Sequence, residues 1–422
     1  MPCYAEMKDS GVEWLGEIPE HWDVLANKYI FSLKKNQVGK RSKEYELLSL
    51  TLNGVIKRDM ENPEGKFPAE FDTYQEVCIG DFIFCLFDVE ETPRAVGLSS
   101  FYGMITGAYT VFEALPQFDK KYLYYFYLNL DAKKMMKPLY KGLRNTISKD
   151  NFLSFKSFIP PLPEQTAIAI FLDQKTAQID QAIALKQKQI DLFKERKQLV
   201  IQQAVTKGLN PNAPMRDSGV EWISEIPEHW EVKRAKYLFI EIDDRSETGQ
   251  EELLSVSHMT GVTPRSEKNV SMFMAEDYTG SKTCQSGDLI FNIMWAWMGA
   301  LGVADRRGII SPSYGVFRQS KLNTFNTKYL EFLLKTVGYV EHYNKVSTGL
   351  HSSRLRFYSH MFFTMKIGFP KKVEQDDIVF HIETQSAKID KAIDIQQQQI
   401  NKLKEYKSTL INSAVTGKIK VA

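Results

Sequence analysis

One helical pattern occurs twice in this sequence, from Gln165 to Thr206 and again 210 residues later from Gln375 to Thr416. Apolar residues recur at alternating spacings of four and three for about four heptads, which is the pattern of a coiled-coil seam. Two long helices with matching seams have each other as the simplest partner. The alternative is two unrelated helices, each packed on its own globular domain. The predicted seam consists of Leu172, Ile179, Ile183, Ile190 and Phe193, then Ile389, Ile393, Ile400, Leu403 and Leu410.

A second repeat precedes each helix. MKDSGVEWLGEIPEHWDVLANKYIF begins at Met7, and MRDSGVEWISEIPEHWEVKRAKYLF begins 208 residues later at Met215. Glycine, proline and tryptophan within so short a span favour a packed turn, with Trp22 and Trp230 as buried anchors. Stacking of a base or a sugar on these indoles is the less favoured alternative. His21 and His229 have no carboxylate or cysteine at ligand spacing, so we interpret them as structural.

The residues between these repeats predict the same series of elements in both halves. Short β-rich runs are followed by one helix, a glycine turn and a proline break before the long helix. We therefore predict an α+β fold with two duplicated domains, residues 1–160 and 209–370, and long helices within residues 161–208 and 371–422. The predicted strands are 46–52, 81–87 and 108–113, matched by 253–257, 288–293 and 314–318; the helices are 120–136 and 328–343.

Composition limits the class of protein. With 422 residues, of which 43% are hydrophobic, the chain can form two or more cores. No apolar run approaches the roughly 18 residues that a membrane span needs, and the first ten residues contain no apolar signal core. We expect a cytoplasmic protein. Its four cysteines have neither disulfide-framework density nor paired zinc-site spacing, so we expect reduced thiols.

Basic residues concentrate around both glycine turns, although the net charge is only +2. The segment from Lys133 to Lys156 contains seven Lys or Arg and one acidic residue, and the segment from Lys335 to Lys372 contains the same numbers. Groups able to bind phosphates or base edges accompany them, which favours nucleic-acid contact over a merely solvated positive face. The predicted DNA-binding residues are Lys141, Arg144, Asn145 and Lys149, then His351, Ser352, Ser353, Arg354 and Arg356, with Arg58 and Arg265 in another matched loop.

Signatures of catalysis are missing from the sequence. It contains no phosphate-binding GxxxxGK[ST] loop, no HExxH, no GxGxxG after a strand and no nuclease core. The segment Ser311-Pro312-Ser313-Tyr314 resembles the base-gripping motif of amino-methyltransferases, but Ser313 replaces its second proline, so we interpret it as the entry to a strand. We predict no catalytic, metal-binding or cofactor-binding residues, and no cofactor.

Taken together, these features resemble the specificity subunits of type I restriction-modification enzymes. The resemblance is carried by the two EIPEHW openings, by Gly142 and Gly349, by the proline-rich entry to the first helix and by the two coiled-coil helices. The second entry, at Pro370, departs from the proline-rich pattern. The resemblance implies two target-recognition domains, each reading half of a split double-stranded DNA sequence, held apart by an antiparallel helix pair. It also implies partners: methyltransferase subunits, two per chain, and motor-nuclease subunits that contain the adenine-methylating and DNA-cleaving sites.

A duplex has a local dyad, so two similar domains can approach it equivalently only around a rough twofold axis, which makes their helices antiparallel. The sequence therefore predicts a pseudo-twofold arrangement and a non-catalytic DNA-recognition and assembly subunit. Two rivals remain: a stand-alone methyltransferase or nuclease with an unfamiliar site, and a coiled-coil scaffold that does not contact DNA. Methyl transfer by the chain alone would favour the first. Absence of salt-sensitive DNA binding in the assembled complex would favour the second.

Overall fold

The structure is a computed structural model that describes residues 3–12, 16–59, 71–140, 145–267, 277–349 and 355–421. It divides into two compact units. Unit 1 contains Met1–Gln187 and Gln397–Ala422, and unit 2 contains Lys188–Gln396. Each long helix therefore supplies one segment to each unit. None of the described helices combines the length and the hydropathy that crossing a bilayer requires.

Within the described residues, each unit has twelve short strands in the same order. In unit 1 they are β1 Met7–Asp9, β2 Glu17–Pro19, β3 Asp23–Ala26, β4 Phe31–Leu33, β5 Leu48–Thr51, β6 Gly54–Lys57, β7 Gln75–Val77, β8 Asp81–Phe84, β9 Val96–Leu98, β10 Gly103–Ile105, β11 Thr110–Ala114 and β12 Lys156–Ile159. In unit 2 they are β13 Met215–Asp217, β14 Glu225–Pro227, β15 Glu231–Arg234, β16 Phe239–Glu241, β17 Leu254–Ser257, β18 Gly261–Pro264, β19 Lys282–Cys284, β20 Leu289–Phe291, β21 Leu301–Val303, β22 Gly308–Ile310, β23 Gly315–Gln319 and β24 Lys366–Phe369.

The centre of each unit is a four-stranded antiparallel sheet with the same topology. Its order is β4-β11-β8-β9 in unit 1 and β16-β23-β20-β21 in unit 2. The registers correspond, because Phe112 lies opposite Phe82 and Phe317 lies opposite Leu289. Phenylalanines from these strands form the core of each unit: Phe31, Phe82, Phe84 and Phe112 in unit 1, and Phe239, Phe291 and Phe317 in unit 2.

Seven α-helices occur among the described residues, three in the first half and four in the second. They are α1 Lys120–Ala132, α2 Lys149–Ser154, α3 Leu162–Lys207, α4 Thr327–Leu334, α5 Val337–Val346, α6 Ser359–Thr364 and α7 Lys372–Val415. The long helices α3 and α7 lie within the predicted ranges 161–208 and 371–422 and begin three residues before the repeated pattern at Gln165 and Gln375. Helices α2 and α6 were not predicted.

The predicted helix 328–343 is wrong, because a break at Thr336 divides it into α4 and α5. The Thr336 side chain donates to the Leu333 carbonyl at 2.8 Å, while its extended backbone lets its own carbonyl accept from Val340 N at 3.0 Å. A side-chain hydroxyl that bonds to its own helix backbone competes with the helical ladder. The predicted helix 120–136 is also too long, since Lys134 has a positive φ of 52° and ends it.

Helices α3 and α7 pack together, and within each unit their segments run antiparallel. In unit 1, Asp180 pairs with Lys407 at 2.6 Å, and Lys186, further along α3, contacts Gln399, which lies earlier in α7. In unit 2, Lys197 pairs with Asp390 at 2.7 Å. The end of α7 enters the core of unit 1 through buried Ala414 and Val415, and the end of α3 enters the core of unit 2 through buried Ala204 and Val205.

Candidate nucleic-acid interface

Arg58 and Arg265 occupy the same place in the two units. Each directly follows the second strand of a hairpin, β5–β6 or β17–β18. Its backbone N–H donates to the carbonyl just before the first strand, Leu47 or Leu253, at 2.8 Å in both cases. Both side chains are half-buried. The structure therefore brings these two predicted residues to matched positions, each at the end of a hairpin in its own unit.

The basic loops, residues 141–149 and 351–356, are described only in part. Lys141 and Arg144 in the first, and His351, Ser352, Ser353 and Arg354 in the second, lie outside the described residues. Their flanks are anchored in similar ways. The Asn145 carbonyl accepts from Asp88 N at 2.7 Å in unit 1, and Phe357 N donates to the Ile293 carbonyl at 3.0 Å in unit 2. Each basic loop thus ends beside the turn that follows a central strand, β8 or β20.

The described members of the basic loops differ in exposure. Asn145 and Lys149 are exposed, and Lys149 begins α2, which is capped by Ser148 accepting from Asn151 N at 3.1 Å. Arg356 is half-buried, and its guanidinium donates to the Leu355 carbonyl at 3.0 Å. Its backbone pairs with Thr348, so Arg356 closes the base of the second basic loop.

Ion pairs reduce the charge of both basic segments below the value counted in the sequence. Lysines in each segment have a carboxylate partner within salt-bridge distance, and these partners leave less positive charge for an external phosphate. The pairs are Lys134–Asp131 at 3.0 Å, Lys137–Glu90 at 2.6 Å, Lys335–Glu331 at 2.7 Å, Lys345–Glu221 at 2.7 Å and Lys372–Asp376 at 2.6 Å.

The turns beside the two basic loops have opposite chemistry. The acidic turn of unit 1, residues 88–91, contains three carboxylates in its sequence Asp-Val-Glu-Glu. The tryptophan turn of unit 2, residues 295–298, reads Trp-Ala-Trp-Met. Both pack a fully buried small residue inward, Val89 or Ala296. A shared backbone position therefore presents acids to the surroundings in one unit and aromatic rings in the other.

The hairpin that ends at Arg265 contacts Asn292, which supports the tryptophan turn, since the Asn292 side chain donates to the Val256 carbonyl of β17 at 3.3 Å. The Asn292 side chain donates to the Tyr314 hydroxyl at 2.8 Å. Burial raises the pKa of Tyr314, and the positive charge of Arg265 and the hydrogen bond with Asn292 partly offset that rise. The segment Ser311–Tyr314 forms a turn, with Tyr314 N donating to the Ser311 carbonyl at 3.0 Å, and it leads directly into β23.

A glutamate at the start of each long helix joins that helix to the duplicated opening, and sequence reasoning missed it. Glu164 accepts from His21 at 2.8 Å and from the Trp22 indole at 3.1 Å. Glu374 accepts from His229 at 2.8 Å and from the Trp230 indole at 3.0 Å. No carboxylate stands at ligand spacing from either histidine in the sequence, and the partners that the fold supplies lie 143 and 145 residues away. The signal was present, because Glu-Gln recurs at the start of both helices.

The next residue repeats the arrangement with an amide. Gln165 donates to the Pro160 carbonyl at 2.8 Å and accepts from Asp119 N at 2.9 Å. Gln375 donates to the Pro370 carbonyl at 2.9 Å and accepts from Asn326 N at 2.9 Å. In each unit, one buried glutamine thus ties the long helix to the N-cap of α1 or α4.

Members of the predicted seam turn towards protein rather than solvent. Apolar side chains outside the seam, such as Leu185, Leu192 and Leu199, are more than half exposed. The seam residues Leu172, Ile179, Ile190, Ile389, Ile400 and Leu410 are buried, and Ile183, Phe193, Ile393 and Leu403 are half-buried.

Comparisons with known proteins agree with one another. The sequence pattern described as the type I restriction modification DNA specificity domain matches residues 104–191, which run from β10 into α3. A type I restriction enzyme MjaVIII specificity subunit of Methanocaldococcus jannaschii is 25% identical over 320 residues, covering 71% of this chain and 70% of that protein. A putative MjaX specificity subunit of the same organism is 24% identical and covers 96% of both chains.

Solved structures give the same fold. One, from work on complex assembly and conformational transition of the type I R-M system, has a TM-score of 0.64 at 14% identity and covers 95% of this chain and 99% of its own. The crystal structure of the HsdS subunit from Thermoanaerobacter tengcongensis has a TM-score of 0.55 at 14% identity and covers 95% of this chain and 98% of its own.

Proposed function

This chain belongs to the DNA specificity subunits of type I restriction-modification systems, and on that premise we propose that each of its two units reads one part of a bipartite DNA target. The observation that carries the proposal is one framework with two different reading surfaces. The central sheets, the hairpins and the positions of Arg58 and Arg265 are repeated. The turns beside the basic loops differ.

In this proposal, the repeated and the differing positions of the two units contact DNA in different ways. Arginines and lysines at repeated positions supply phosphate affinity and fix register, which carries no sequence information. Side chains at differing positions choose bases, because base edges are read by specific donors and acceptors. Carboxylates of the acidic turn suit the amino group of cytosine, whereas aromatic rings read stacking rather than hydrogen bonds.

In this proposal the long helices form the assembly surface. Their outward faces include exposed Leu185, Leu192 and Leu199 on α3 and Phe380 on α7, which suits helical partners. Methyltransferase subunits, two per chain, would bind there or on the units themselves, followed by motor-nuclease subunits. Adenine methylation and DNA cleavage then belong to those partners, and the complex works on cytoplasmic DNA.

The function is tested by coexpressing the chain with its methyltransferase partner and mapping the modified adenines. Exchanging residues 7–159 for the matching part of a relative should change one part of the target and preserve the other. A change in both parts would contradict independent reading. Methyl transfer by the purified chain alone would instead support the rival enzyme.

Matched arginine variants sharpen the test. Arg58→Ala and Arg265→Ala should each weaken DNA binding of the assembled complex. If the contact is to phosphate, the loss is uniform across sequences, the salt slope falls by about one, and Lys restores much of the binding. If the arginine reads a base, the lysine variant should not restore binding, because lysine lacks the two-nitrogen fork of arginine. The base preference in one part of the target should then become weaker. Unchanged binding in both alanine variants would remove these residues from the interface.

A further inference from the structure

The tryptophan turn exposes an unusual amount of aromatic surface. Trp295 is 47% exposed and Met298 is 39% exposed, although tryptophan is normally among the more buried residues. Trp297, half-buried behind it, lies nearly parallel to Trp295, with ring centroids 5.8 Å apart and an interplanar angle of 28°. The outer indole is therefore backed by a second ring.

The turn is held rigidly from below. Buried Asn292 accepts from Met294 N at 3.2 Å while its amide donates to Tyr314. The Trp297 indole donates to the Met294 carbonyl at 3.0 Å, and Gly299, at a φ of 80°, donates to the Ala296 carbonyl at 2.7 Å. A ring fixed before binding loses little conformational freedom when it meets a ligand, so binding is stronger.

The surroundings are those of a polyanion-binding surface. Ile293, two residues before Trp295, accepts the backbone hydrogen bond of Phe357, which adjoins Arg356. Tyr358, the next residue, is 44% exposed and stacks with His360 at 6.0 Å. The hairpin β17–β18, which ends at Arg265, contacts the base of the turn, because the Asn292 side chain donates to the Val256 carbonyl of β17 at 3.3 Å. Aromatic rings interleaved with arginines are characteristic of surfaces that bind nucleic-acid bases.

The acidic turn of unit 1 distinguishes DNA from a protein partner as the occupant. A surface that docks two copies of the same partner has to recur in both units. The tryptophans do not recur, since Asp88, Glu90 and Glu91 take their place, and Glu90 is paired with Lys137. What differs between the two units in the proposed function is the DNA sequence that each one reads. The tryptophan turn therefore belongs with target reading.

We propose that Trp295 is an aromatic wedge that stacks into an opened base step of the DNA read by unit 2, with Met298 beside it. This inference rests on the proposed function. Apolar side chains that enter base steps partly unstack them, and they favour the steps that are easiest to open, which are pyrimidine–purine steps. Unit 2 thus gains a preference for a deformable step that requires no hydrogen bond to a base.

The test uses the full chain assembled with its methyltransferase partner and a duplex that contains the mapped target. Trp295→Ala should weaken binding roughly tenfold or more, and Trp295→Phe by less than about threefold, because a phenyl ring still stacks. The salt slope should stay unchanged in both variants, since no phosphate contact is removed. With 2-aminopurine at successive positions, fluorescence should rise at one step in the unit 2 part with wild-type protein and not with Trp295→Ala.

Glu90→Ala is the matched control, because it alters the corresponding turn of unit 1. At protein concentrations that saturate the duplex, it should leave the 2-aminopurine signal in the unit 2 part unchanged, even if it weakens reading by unit 1. If Trp295→Ala prevents assembly with the methyltransferase while assembled complexes bind DNA normally, the turn is a protein-docking surface and the inference is overturned. Wild-type affinity and assembly in Trp295→Ala would overturn it too. Met298→Ala, which keeps both indoles, covers the case in which Trp295→Ala fails to fold, and it should reduce the same signal.

The inference and the proposed function fail in different ways. A wild-type complex with no preferred DNA sequence would contradict the function itself. A wild-type complex that methylates a defined bipartite target, together with a Trp295→Ala variant of equal affinity and equal fluorescence, would contradict the wedge alone.

Discussion

Both units contain a buried aspartate at the same position, but the cation that neutralises it comes from a different place in each sequence. Asp81 and Asp288 each close a turn by accepting a backbone hydrogen bond, from Cys78 N at 2.7 Å and from Gln285 N at 2.9 Å. Lys34, just after β4, pairs with Asp81 at 2.7 Å. In unit 2 the cation is Arg318 on β23, which binds Asp288 through two nitrogens at 2.8 and 2.9 Å.

The residues at the corresponding positions of the other unit also differ in charge. Glu113 of β11 stands where Arg318 stands in β23, and Ile242 stands where Lys34 does. One unit therefore has Lys and Glu at these positions and the other has Ile and Arg. The fold requires a cation beside a buried aspartate, because an unpaired buried charge costs several kcal/mol. It does not require that cation at one fixed place in the sequence.

The ends of the long helices should show the largest difference between the units. Gly417 and Gly208 both have positive φ, 70° and 74°, so alanine costs about 1 kcal/mol at either site. A Cβ at Gly417 would lie 2.2 Å from Pro19 Cδ, whereas one at Gly208 would meet its nearest atom, Glu374 Oε1, at 3.3 Å. Overpacking adds about 1–3 kcal/mol. We expect Gly417→Ala to destabilise unit 1 by about 2–4 kcal/mol and Gly208→Ala to destabilise unit 2 by about 1 kcal/mol.

Hydrogen exchange measures the two units separately, since amides of β8 and β11 report on unit 1 and those of β20 and β23 on unit 2. Equal losses of stability in the two alanine variants would show that Pro19 can move away from the added methyl group at no cost in free energy. The close approach at Gly417 would then have no energetic role.

Substitution of Glu164 and Glu374, which begin the two long helices, should give a smaller difference in stability between the units. In unit 1, Tyr4 also donates to Glu164, alongside His21 and Trp22, whereas His229 and Trp230 are the partners described for Glu374. Replacing a carboxylate by an amide weakens charge-assisted hydrogen bonds by about 1 kcal/mol each. With three such hydrogen bonds to Glu164 and two to Glu374, Glu164→Gln should destabilise unit 1 by about 3 kcal/mol and Glu374→Gln should destabilise unit 2 by about 2 kcal/mol.

Chemical denaturation followed by exchange in each unit provides the measurement. His21→Gln is the control for Glu164→Gln, because it removes one partner and keeps the carboxylate. A larger loss for Glu374→Gln than for Glu164→Gln would contradict a stabilising role for Tyr4.

The smallest expected difference is in alkaline stability. Burial alone lowers the pKa of Lys34, but its hydrogen bonds to Asp81 and Cys78 and the charge of Asp81 outweigh burial, so the pKa is raised. Because the pKa of Lys34 is higher in the folded than in the unfolded protein, its ion pair stabilises the fold fully at any pH below the unfolded pKa of about 10.4. This stabilisation is lost as the pH rises through the folded pKa. Arg318 stays charged over this range. Unit 1 should therefore lose stability as the pH rises above about 10.4, whereas unit 2 should retain it.

Paired substitutions isolate this effect from tyrosine ionisation. Lys34→Arg should reduce the alkaline loss in unit 1, and Arg318→Lys should introduce one in unit 2, with urea midpoints compared at pH 9 and pH 11. Identical pH dependence in wild type and both variants would mean that neither pair contributes measurably.

The duplication and the long helices could be predicted from the sequence because their signals are local and periodic. Matching openings at Met7 and Met215 predicted two copies of one fold, and the 4-3 spacing predicted α3 and α7 to within a few residues. Both follow from which side chains recur along a short stretch of chain. The break at Thr336 could not be predicted, since a side-chain hydroxyl competing with the helix depends on what packs around it.

The arrangement of the candidate site was decided by contacts between residues far apart in sequence. The sequence determined that basic residues cluster near Gly142 and Gly349 and that Arg58 and Arg265 correspond. Only the tertiary structure placed Glu164 against His21, 143 residues away, and the tryptophan turn beside Phe357. It also paired Lys34 and Arg318 with corresponding aspartates of the two units. Periodicity reports which face of an element is buried, but not which element covers it, because that choice depends on the free energy of the whole packed unit.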